Sequence, residues 1–428
     1  DLREQYLTRL VSGEWTGTMN LTEPQAGTDL GAIRTMATPN GDGTWSIKGQ
    51  KIFITWGDHD VAENIVHLVL ARTPDAPEGS KGISLFVAPK FLPDASGNPG
   101  ERNAITTVSV EHKLGIHGSP TCVLEYEGAT GFLVGELHGG LAGMFVMMNS
   151  ARVGMGLQAT GISDRAYQRA RAYAEERMQG AVLDRPDGTP IAEHPDVRRL
   201  LLSMASEIAA MRALGVYVGD LFDRATDADG IRLAELFVPI FKGWTTEEAL
   251  RITSDAIQVH GGMGFIEESG APQHYRDARI MPIYEGTTAI QSNDLIGRKV
   301  IRDGGTTVAR VLQEVAEAIA ALEAFDHPVA ARTASRLESA RAAAEEATAR
   351  LIAFGTTRDA YAVSVPYLML LGFLAGGLMH ARMLAATLAH DTQTDTDARR
   401  IREADAYGVY HLSRVAGLAE VVAAGEIA

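Results

Sequence analysis

Residues 275–291 of this 428-residue chain read YRDARIMPIYEGTTAIQ, and they form the most specific stretch of the sequence. Within them, Glu285 lies in an otherwise apolar neighbourhood that Ile283, Tyr284 and Gly286 provide. A carboxylate in such surroundings is partly desolvated, which raises its pKa and makes it a stronger base. The alternative is a glutamate near a helix N-terminus that the helix macrodipole stabilises. From the residues alone, the two interpretations are about equally supported.

Two further segments have the composition of ligand-binding loops. Residues 19–31 read MNLTEPQAGTDLG, and such a loop can bring N–H groups and threonine oxygens against a flat polar ring or a phosphate. Composition alone favours a plain surface turn before a strand. Residues 258–265 read QVHGGMGF, in which glycines after a helix permit close backbone approach to a ligand or simply end the helix. This segment does not match the dinucleotide fingerprint that follows a strand.

The apolar pattern predicts a β region followed by a long helical region. From about Thr16 to Glu136, apolar and β-branched stretches recur between turn signals, which is typical of a small barrel or sandwich. These stretches are residues 51–54, 65–70, 83–87, 105–110 and 122–126. From Leu141 to Arg177 the apolar residues fall at helical spacing, and helices are predicted onward from there. Residues 303–305, Asp-Gly-Gly, look like a boundary before a further helical domain.

Composition and charge exclude several classes of protein. The formal net charge of −15 argues against nucleic acid or an anionic membrane surface as the main partner. A single cysteine, Cys122, rules out an internal disulfide framework and fits a reducing compartment, so we expect a cytoplasmic protein. The longest apolar run, residues 365–379, is shorter than the roughly twenty residues of a membrane span. It predicts a buried core or interface helix.

The three segments, in this order and with the β region between them, resemble the acyl-CoA dehydrogenase family from about Thr16 to Arg298. The further helices resemble the longer bacterial members of that family. The implied fold is α+β, with a central β-barrel domain, a C-terminal helical bundle and an additional helical domain. The family's N-terminal helical domain is expected to be missing. The implied domains are residues 1–15 as the end of that missing domain, 16–138 as the barrel, 139–302 as the bundle, and 303–428 as the additional domain.

The resemblance implies FAD as the cofactor and assigns no metal. The loop from Met19 to Thr28 matches the one along the isoalloxazine ring, and the 53–55 strand matches the aromatic-Ile-Thr strand on the other side. Arg177 matches an arginine that reaches the FAD of a neighbouring subunit, and residues 258–262 match the segment at the adenosine diphosphate end. The residues assigned to the cofactor are Met19, Leu21, Thr22, Gly27, Thr28, Phe53, Ile54, Thr55, Arg177, Gln258, Gly261, Gly262 and Thr287.

Glu285 matches the catalytic base of the family. An α C–H beside a thioester is a weak acid, so its proton must go to a positioned carboxylate while a β-hydride goes to the flavin. Some relatives carry the base on a different helix, where this chain has Ala151, which cannot serve. The product is then a trans-2-enoyl-CoA. The residues that the resemblance assigns to the substrate are Thr28, Asn149, Arg152, Tyr284 and Gly286.

The resemblance also implies partners and two alternatives. Electrons are expected to pass to an electron-transfer flavoprotein, and the protein is expected to be a homodimer or a higher homo-oligomer, with no nucleic acid and no membrane span. An acyl-CoA oxidase shares the base and differs in the access of oxygen to the flavin, which a sequence does not reveal. A DNA-binding alkylation-response flavoprotein of the same fold would require a basic patch in the additional domain, whereas that domain mixes Arg with many Glu and Asp.

Overall fold

The chain divides between Asn149 and Ser150 into two units, in a computed structural model that describes residues 2–182 and 188–427. Two short helical turns open the first unit, a π-helical turn at Arg3–Leu7 and α1 at Thr8–Ser12. Tyr6 and Trp15 from this region pack against Val66 and Val87 of the strands that follow. Whether these turns end a larger helical domain stays a prediction.

The alternating and β-branched stretches of the first unit form strands. The strands are β1 Thr16–Asn20, β2 Met36–Pro39, β3 Trp45–Thr55, β4 Ile65–Arg72, β5 Ile83–Pro89, β6 Phe91–Pro93, β7 Pro99–Arg102, β8 Ile105–Val110 and β9 Thr121–Val134. Each of the five stretches expected from the pattern lies in one of them, and turn residues separate the strands. The expected β region is therefore confirmed.

The strand pairings close on themselves. β2, β3, β9, β5 and β4 pair in that cyclic order, because β4 contacts both β5 and β2. β1 adds to β4 in parallel, and β8 adds to β9. Side chains such as Ile47, Val69, Phe86 and Leu124 fill the interior, which leaves the polar residues of the same strands on the outside. The central barrel that the resemblance implied is therefore present.

The first turns of α2, Gly140–Glu176, belong to the barrel unit. Met144 and Met148 pack there with Leu70 and Leu85. The division between the units consequently falls within α2, about ten residues after the place where the sequence pattern changes from a period of two to helical spacing.

The second unit is helical. Its further helices are α3 Pro195–Arg224, α4 Ala228–His260, α5 Ala271–Ala278, α6 Thr288–Asp294, α7 Thr306–Glu323, α8 Pro328–Phe354, α9 Arg358–Ala362, α10 Ser364–Leu388, α11 Asp395–Tyr407 and α12 Arg414–Ala424. Their ends follow local chemistry. α3 begins with Pro195, Asp227 accepts a hydrogen bond from Gly230 N to cap α4, and Thr394 forms a capping box with Asp397 at α11.

The helices of the bundle and of the additional segment share one core. Residues of α3, α4, α7, α8 and α10 contribute to a single apolar cluster. Among the residues that the structure describes, two helices, α3 and α10, are long and apolar enough to cross a membrane by length and composition alone, and 56% and 83% of their apolar windows are buried inside the protein. Such burial is what core helices of a globular fold show. The predicted buried helix at residues 365–379 is confirmed within α10.

Candidate active site

The segment between α5 and α6 has an unusual backbone at Glu285 and Gly286. Their φ angles are +56° and +88°, so both lie in the left-handed region. A glutamate there is uncommon, and such strain persists only where the surroundings enforce it. A Cβ atom at Gly286 would also come within 2.7 Å of Gln291 Nε2. The position therefore favours glycine for its backbone angle, and a larger residue would also displace the Gln291 side chain.

Two buried side chains hold this turn by its carbonyl oxygens. Lys242 on α4 donates from Nζ to Gly286 O at 2.8 Å, and its side chain is fully buried. Gln291 on α6 donates from Nε2 to Glu285 O at 3.1 Å. Thr287 caps α6 by accepting a hydrogen bond from Ile290 N at 3.3 Å. The left-handed turn is thus tied to both helices.

The carboxylate of Glu285 lies in a partly desolvated and electropositive setting. Burial raises the pKa of Glu285, while the charges of Arg152 and Lys242 oppose that rise. Burial lowers the pKa of Lys242 to about 8, and Glu285 opposes this shift. Burial also lowers the pKa of Arg152, against the attraction of Asp294 and Glu285. A half-buried carboxylate between two cations can remain ionised and still be a stronger base than an exposed one.

Tyr284 forms the polar edge of the same segment. Its hydroxyl donates to Gln158 Oε1 on α2 at 2.7 Å. Burial raises the pKa of Tyr284 to about 12, with the charge of Glu285 adding to the rise. The hydroxyl therefore stays protonated and acts as a donor near neutral pH. Arg152 lies on α2 as well, less than two helical turns before Gln158, and is buried.

The other residues that the sequence assigned to a ligand in this unit are exposed. Gln258 lies in the last turn of α4 on its solvent side. Gly261 and Gly262 follow in a 3-10 turn whose Met263 and Phe265 are exposed by 50% and 87%. Arg177 is exposed after the end of α2. The structure brings Glu285, Gly286, Thr287 and Tyr284 together with Arg152. It gives Arg177 and the 258–262 segment no role by itself.

The expected cofactor loop in the barrel unit is tied to β3 by a buried ion pair. Lys51 Nζ lies 2.9 Å from Glu23 Oε1 and donates to Leu21 O at 3.1 Å. Glu23 also accepts hydrogen bonds from Arg34 N at 2.7 Å and from Thr35 N at 3.0 Å. The loop is therefore held against the strand from within, although Gly27 and Thr28 are exposed at its tip.

The other cofactor candidates of this unit lie where the ladder between β3 and β9 slips. The register shifts between Lys51 and Ile54, and Phe53 takes a left-handed φ of +59°. Bulges of this kind re-aim a side chain and recur next to functional sites. Phe53 is accordingly 60% exposed, Ile54 is buried, and Thr55 is exposed. Met19, Leu21 and Thr22 are partly buried, and Ile52 N donates to Thr22 O at 2.9 Å.

Several residues of these arrangements escaped sequence reasoning. They are Glu23, Lys51, Gln158, Lys242 and Gln291. Lys242 had a usable signal, because it is a lone cation in the apolar run LFVPIFKGW at residues 236–244. Asn149 is a partly buried residue of α2 in the barrel unit. Within residues 2–182 and 188–427, no group of three or more His, Cys, Asp or Glu side chains could hold a metal ion.

Comparison with known families finds matches along most of the chain. The family model described as acyl-CoA dehydrogenase, middle domain, matches residues 18–129. The acyl-CoA dehydrogenase C-terminal domain matches residues 138–301. A model described as acetyl-CoA dehydrogenase C-terminal like matches residues 310–428, which agrees with the resemblance to members that carry an additional domain.

Individual relatives agree with these matches. The 3-methylmercaptopropionyl-CoA dehydrogenase of Ruegeria pomeroyi is 53% identical over 385 residues, which are 87% of this chain and 65% of that relative. A short-chain-specific acyl-CoA dehydrogenase of Megasphaera elsdenii is 33% identical over 68% of this chain and 69% of its own length. The chain spans 65% of the Ruegeria relative and little more than half the length of three other curated relatives.

A solved structure supports the fold. The structure of an acyl-CoA dehydrogenase from Bacillus anthracis, complexed with FAD, has a TM-score of 0.79 to this chain. It covers 99% of this chain and 72% of its own, at 22% identity, so the likeness bears on the fold alone. The expected arrangement of a barrel followed by helical regions is confirmed.

Proposed function

This chain belongs to the acyl-CoA dehydrogenase family, and we propose on that basis that it removes two hydrogens from an acyl-CoA thioester to form a trans-2-enoyl-CoA. The observation that carries the proposal is the setting of Glu285. A left-handed turn held by two buried donors presents this carboxylate, and two cations oppose the rise in pKa that burial causes.

Glu285 is the proposed general base. Its carboxylate takes the α-proton of the thioester, and the electron pair left behind becomes the α,β double bond as a hydride leaves the β-carbon. Partial burial strengthens the base, since desolvation favours the protonated form. Arg152 and Lys242 keep the carboxylate ionised before the substrate arrives. The pair of effects suits a base that must be ionised and strong at the same pH.

The backbone of the same turn supplies a second element of the mechanism. Negative charge develops on the thioester oxygen as the α-proton leaves, and an N–H donor aimed at that oxygen stabilises it. Lys242 and Gln291 bond to the carbonyl oxygens of Gly286 and Glu285. Neither of these bonds uses the backbone N–H of Glu285, and we assign that N–H as the donor to the thioester oxygen. Gly286, lacking a side chain, leaves space for the approach.

The residues of the barrel unit fit a flat, partly polar cofactor. Phe53 offers an exposed aromatic face from a bulge, and the loop from Met19 to Thr28 offers small residues and hydroxyls that the Glu23–Lys51 pair holds in place. FAD, when bound, supplies the acceptor for the β-hydride. In the helical unit, Arg177, Gln258, Gly261 and Gly262 are exposed, which leaves them accessible to the cofactor. Thr287 would do so from the start of α6.

The partners of the reaction follow from the family. The substrate is an acyl-CoA, and Thr28, Asn149, Arg152 and Tyr284 are its proposed contacts together with Gly286. The natural acceptor of the electrons is an electron-transfer flavoprotein. Reoxidation by that protein in preference to dioxygen distinguishes a dehydrogenase from an oxidase. The mixed charges of the additional domain, where Arg332 and Arg336 both pair with Asp405, give no support to a DNA-binding role.

The test of the proposal is Glu285→Gln, which keeps the size of the side chain and removes its basicity. The flavoprotein is mixed anaerobically with acyl-CoA thioesters of several chain lengths while the flavin absorbance is followed. We expect the rate of bleaching to fall on the order of a hundredfold to ten-thousandfold. FAD content should be unchanged, because the carboxylate is not assigned to the cofactor.

Glu346→Gln is the matched control, since it makes the same chemical change at an exposed glutamate of α8. It should bleach at the wild-type rate. Bleaching of Glu285→Gln at that rate would show that another residue is the base. A wild-type protein that no acyl-CoA in the panel bleaches would refute the proposed reaction itself.

A further inference from the structure

Lys242 is a cation in a place where a cation is costly. It lies in the middle of α4, within an apolar run, and its side chain is fully buried. Burying an ammonium group is unfavourable unless hydrogen bonds and opposite charges compensate. A methionine or leucine would fill the same space in a helix core without this penalty. The position of the ammonium therefore needs an explanation in what it contacts.

The ammonium contacts the turn that presents Glu285. Lys242 Nζ donates to Gly286 O at 2.8 Å, across 44 residues of sequence. The charged groups that act on Lys242 are Glu285 from the turn, Glu247 from α4 itself and Arg152 from α2. The two carboxylates attract the ammonium and the guanidinium repels it. Lys242 is therefore bonded to the backbone next to Glu285 and also acts on its side chain through charge.

We propose that Lys242 is a positioning residue that anchors the left-handed turn at Glu285 and Gly286 to α4 and holds the Glu285 carboxylate in its ionised form. The consequence for catalysis rests on the proposed function. The effect on the Glu285 carboxylate does not rest on the proposed function, because it concerns only the interaction between Lys242 and Glu285.

The geometry separates Lys242 from the second donor to the turn. Gln291 lies on α6, which begins directly after the turn, so its bonds to Glu285 O and Gly286 O are local. Lys242 lies on a helix that is remote in sequence and packed in the core, so it fixes the turn relative to the rest of the unit. It also supplies a charge, which an amide does not. Removing Lys242 should therefore disturb the ionisation of Glu285, whereas a purely structural lysine would not affect it.

The test compares Lys242→Met, which removes the donor and the charge, with Lys242→Gln, which can keep a donor and removes the charge. Lys299→Met is the matched control, because Lys299 is a partly buried lysine that pairs with Glu235 elsewhere in the same unit. The first readout is the pKa of Glu285 itself. It is measured by infrared difference spectroscopy over a pH series, with the carboxyl band assigned by its absence in Glu285→Gln.

Loss of a neighbouring opposite charge moves the pKa of a carboxyl group upward by roughly one to three units. We expect such a rise in both Lys242 variants and none in Lys299→Met. An unchanged Glu285 pKa in Lys242→Met overturns the proposal. Should that variant not fold, Lys242→Gln decides in the same way, because it also lacks the charge.

The second readout is the pH dependence of flavin bleaching by an acyl-CoA. Because Glu285 must be ionised to act, the acidic limb of the rate profile should move to higher pH with the carboxyl pKa, at about tenfold in rate per unit below it. The change should be in the rate at saturation rather than in KM. A shifted infrared pKa in a protein that no acyl-CoA bleaches would refute the proposed function and leave the assignment of Lys242 in place.

Discussion

The buried ion pair between Glu23 and Lys51 should contribute little to the free energy of unfolding. Removing only one of the two partners should nevertheless destabilise the protein strongly. Both side chains are almost fully buried, with 3% and 0% of their surface exposed. Lys51→Met would leave Glu23 ionised in the barrel wall, with donors from Thr35 and Arg34 N but no cation. Glu23→Gln would leave the buried Lys51 ammonium with neutral acceptors such as Leu21 O and with no opposite charge.

The magnitude follows from the two shifted pKa values. Burial by itself would raise the pKa of Glu23, but Lys51, Thr35 and Arg34 N outweigh it and lower this pKa from 4.5 to about 2. That change corresponds to about 3 kcal/mol of stabilisation at neutral pH. Burial lowers the pKa of Lys51 from 10.5 to about 8 against the attraction of Glu23, so burying the ammonium group costs more than its pairing with Glu23 returns. The pair should therefore contribute close to nothing, while loss of either partner should cost about 3 to 5 kcal/mol.

The assay is urea unfolding followed by tryptophan fluorescence. Trp15, Trp45 and Trp56 lie in the barrel unit, so three of the four tryptophans report on it. Each single variant should lower the free energy of unfolding by several kcal/mol, and the double variant Glu23→Gln/Lys51→Met should come back to within about 1 kcal/mol of wild type. The exposed cross-strand pair Lys48 and Glu127, changed in the same way, is the control and should alter stability by less than about 1 kcal/mol.

The pH dependence has a defined sign. Because the folded pKa of Glu23 is lowered, its contribution is complete above pH 4.5 and is lost as the pH falls to about 2. The wild-type protein should therefore lose more stability across this window than the double variant does. Single variants that unfold at the wild-type urea concentration would refute the reasoning, and so would a double variant as unstable as the two single changes added together.

Three further predictions follow. The purified protein should be yellow and release FAD on denaturation, and release of FMN, or a colourless protein that FAD does not reconstitute, would contradict the cofactor assignment. Sedimentation should show at least a dimer, because Arg177 and Gln258 match residues that serve a neighbouring subunit and are exposed here; a stable monomer with full FAD occupancy would be the opposite result. Gly286→Ala should slow flavin bleaching and lower stability by about 1 kcal/mol or more, since φ is +88° and Gln291 Nε2 lies 2.7 Å from the added Cβ; calorimetry and stopped-flow absorbance measure both.

The expected secondary structure was predictable because it depends on local patterns. Alternation and turn residues indicated the strands, and helical spacing from Leu141 indicated α2, since each pattern reflects which face of an element is buried. The residues of the segment that carries the proposed base could also be identified from the sequence, because Tyr284, Glu285, Gly286 and their neighbours are contiguous. Their roles stay predictions. The boundary between the two units, which lies inside α2, could not be predicted from the sequence, because it depends on the packing of Met144 and Met148 on the barrel.

The sequence by itself determined the order of the elements, the family and the presence of a carboxylate at Glu285, because each of these depends on residues that are neighbours in the sequence. Only the tertiary structure decided what acts on that carboxylate. Lys242 reaches Gly286 across 44 residues, and Gln158 reaches Tyr284 across 126. The hydrogen bond from the buried Lys242 to Gly286 O depends on how α4 packs against the turn before α6. The backbone angle at Glu285 depends on this contact in turn. Local propensity predicts neither this hydrogen bond nor the left-handed angle, because a glutamate in a left-handed turn is stable only when distant groups hold it there.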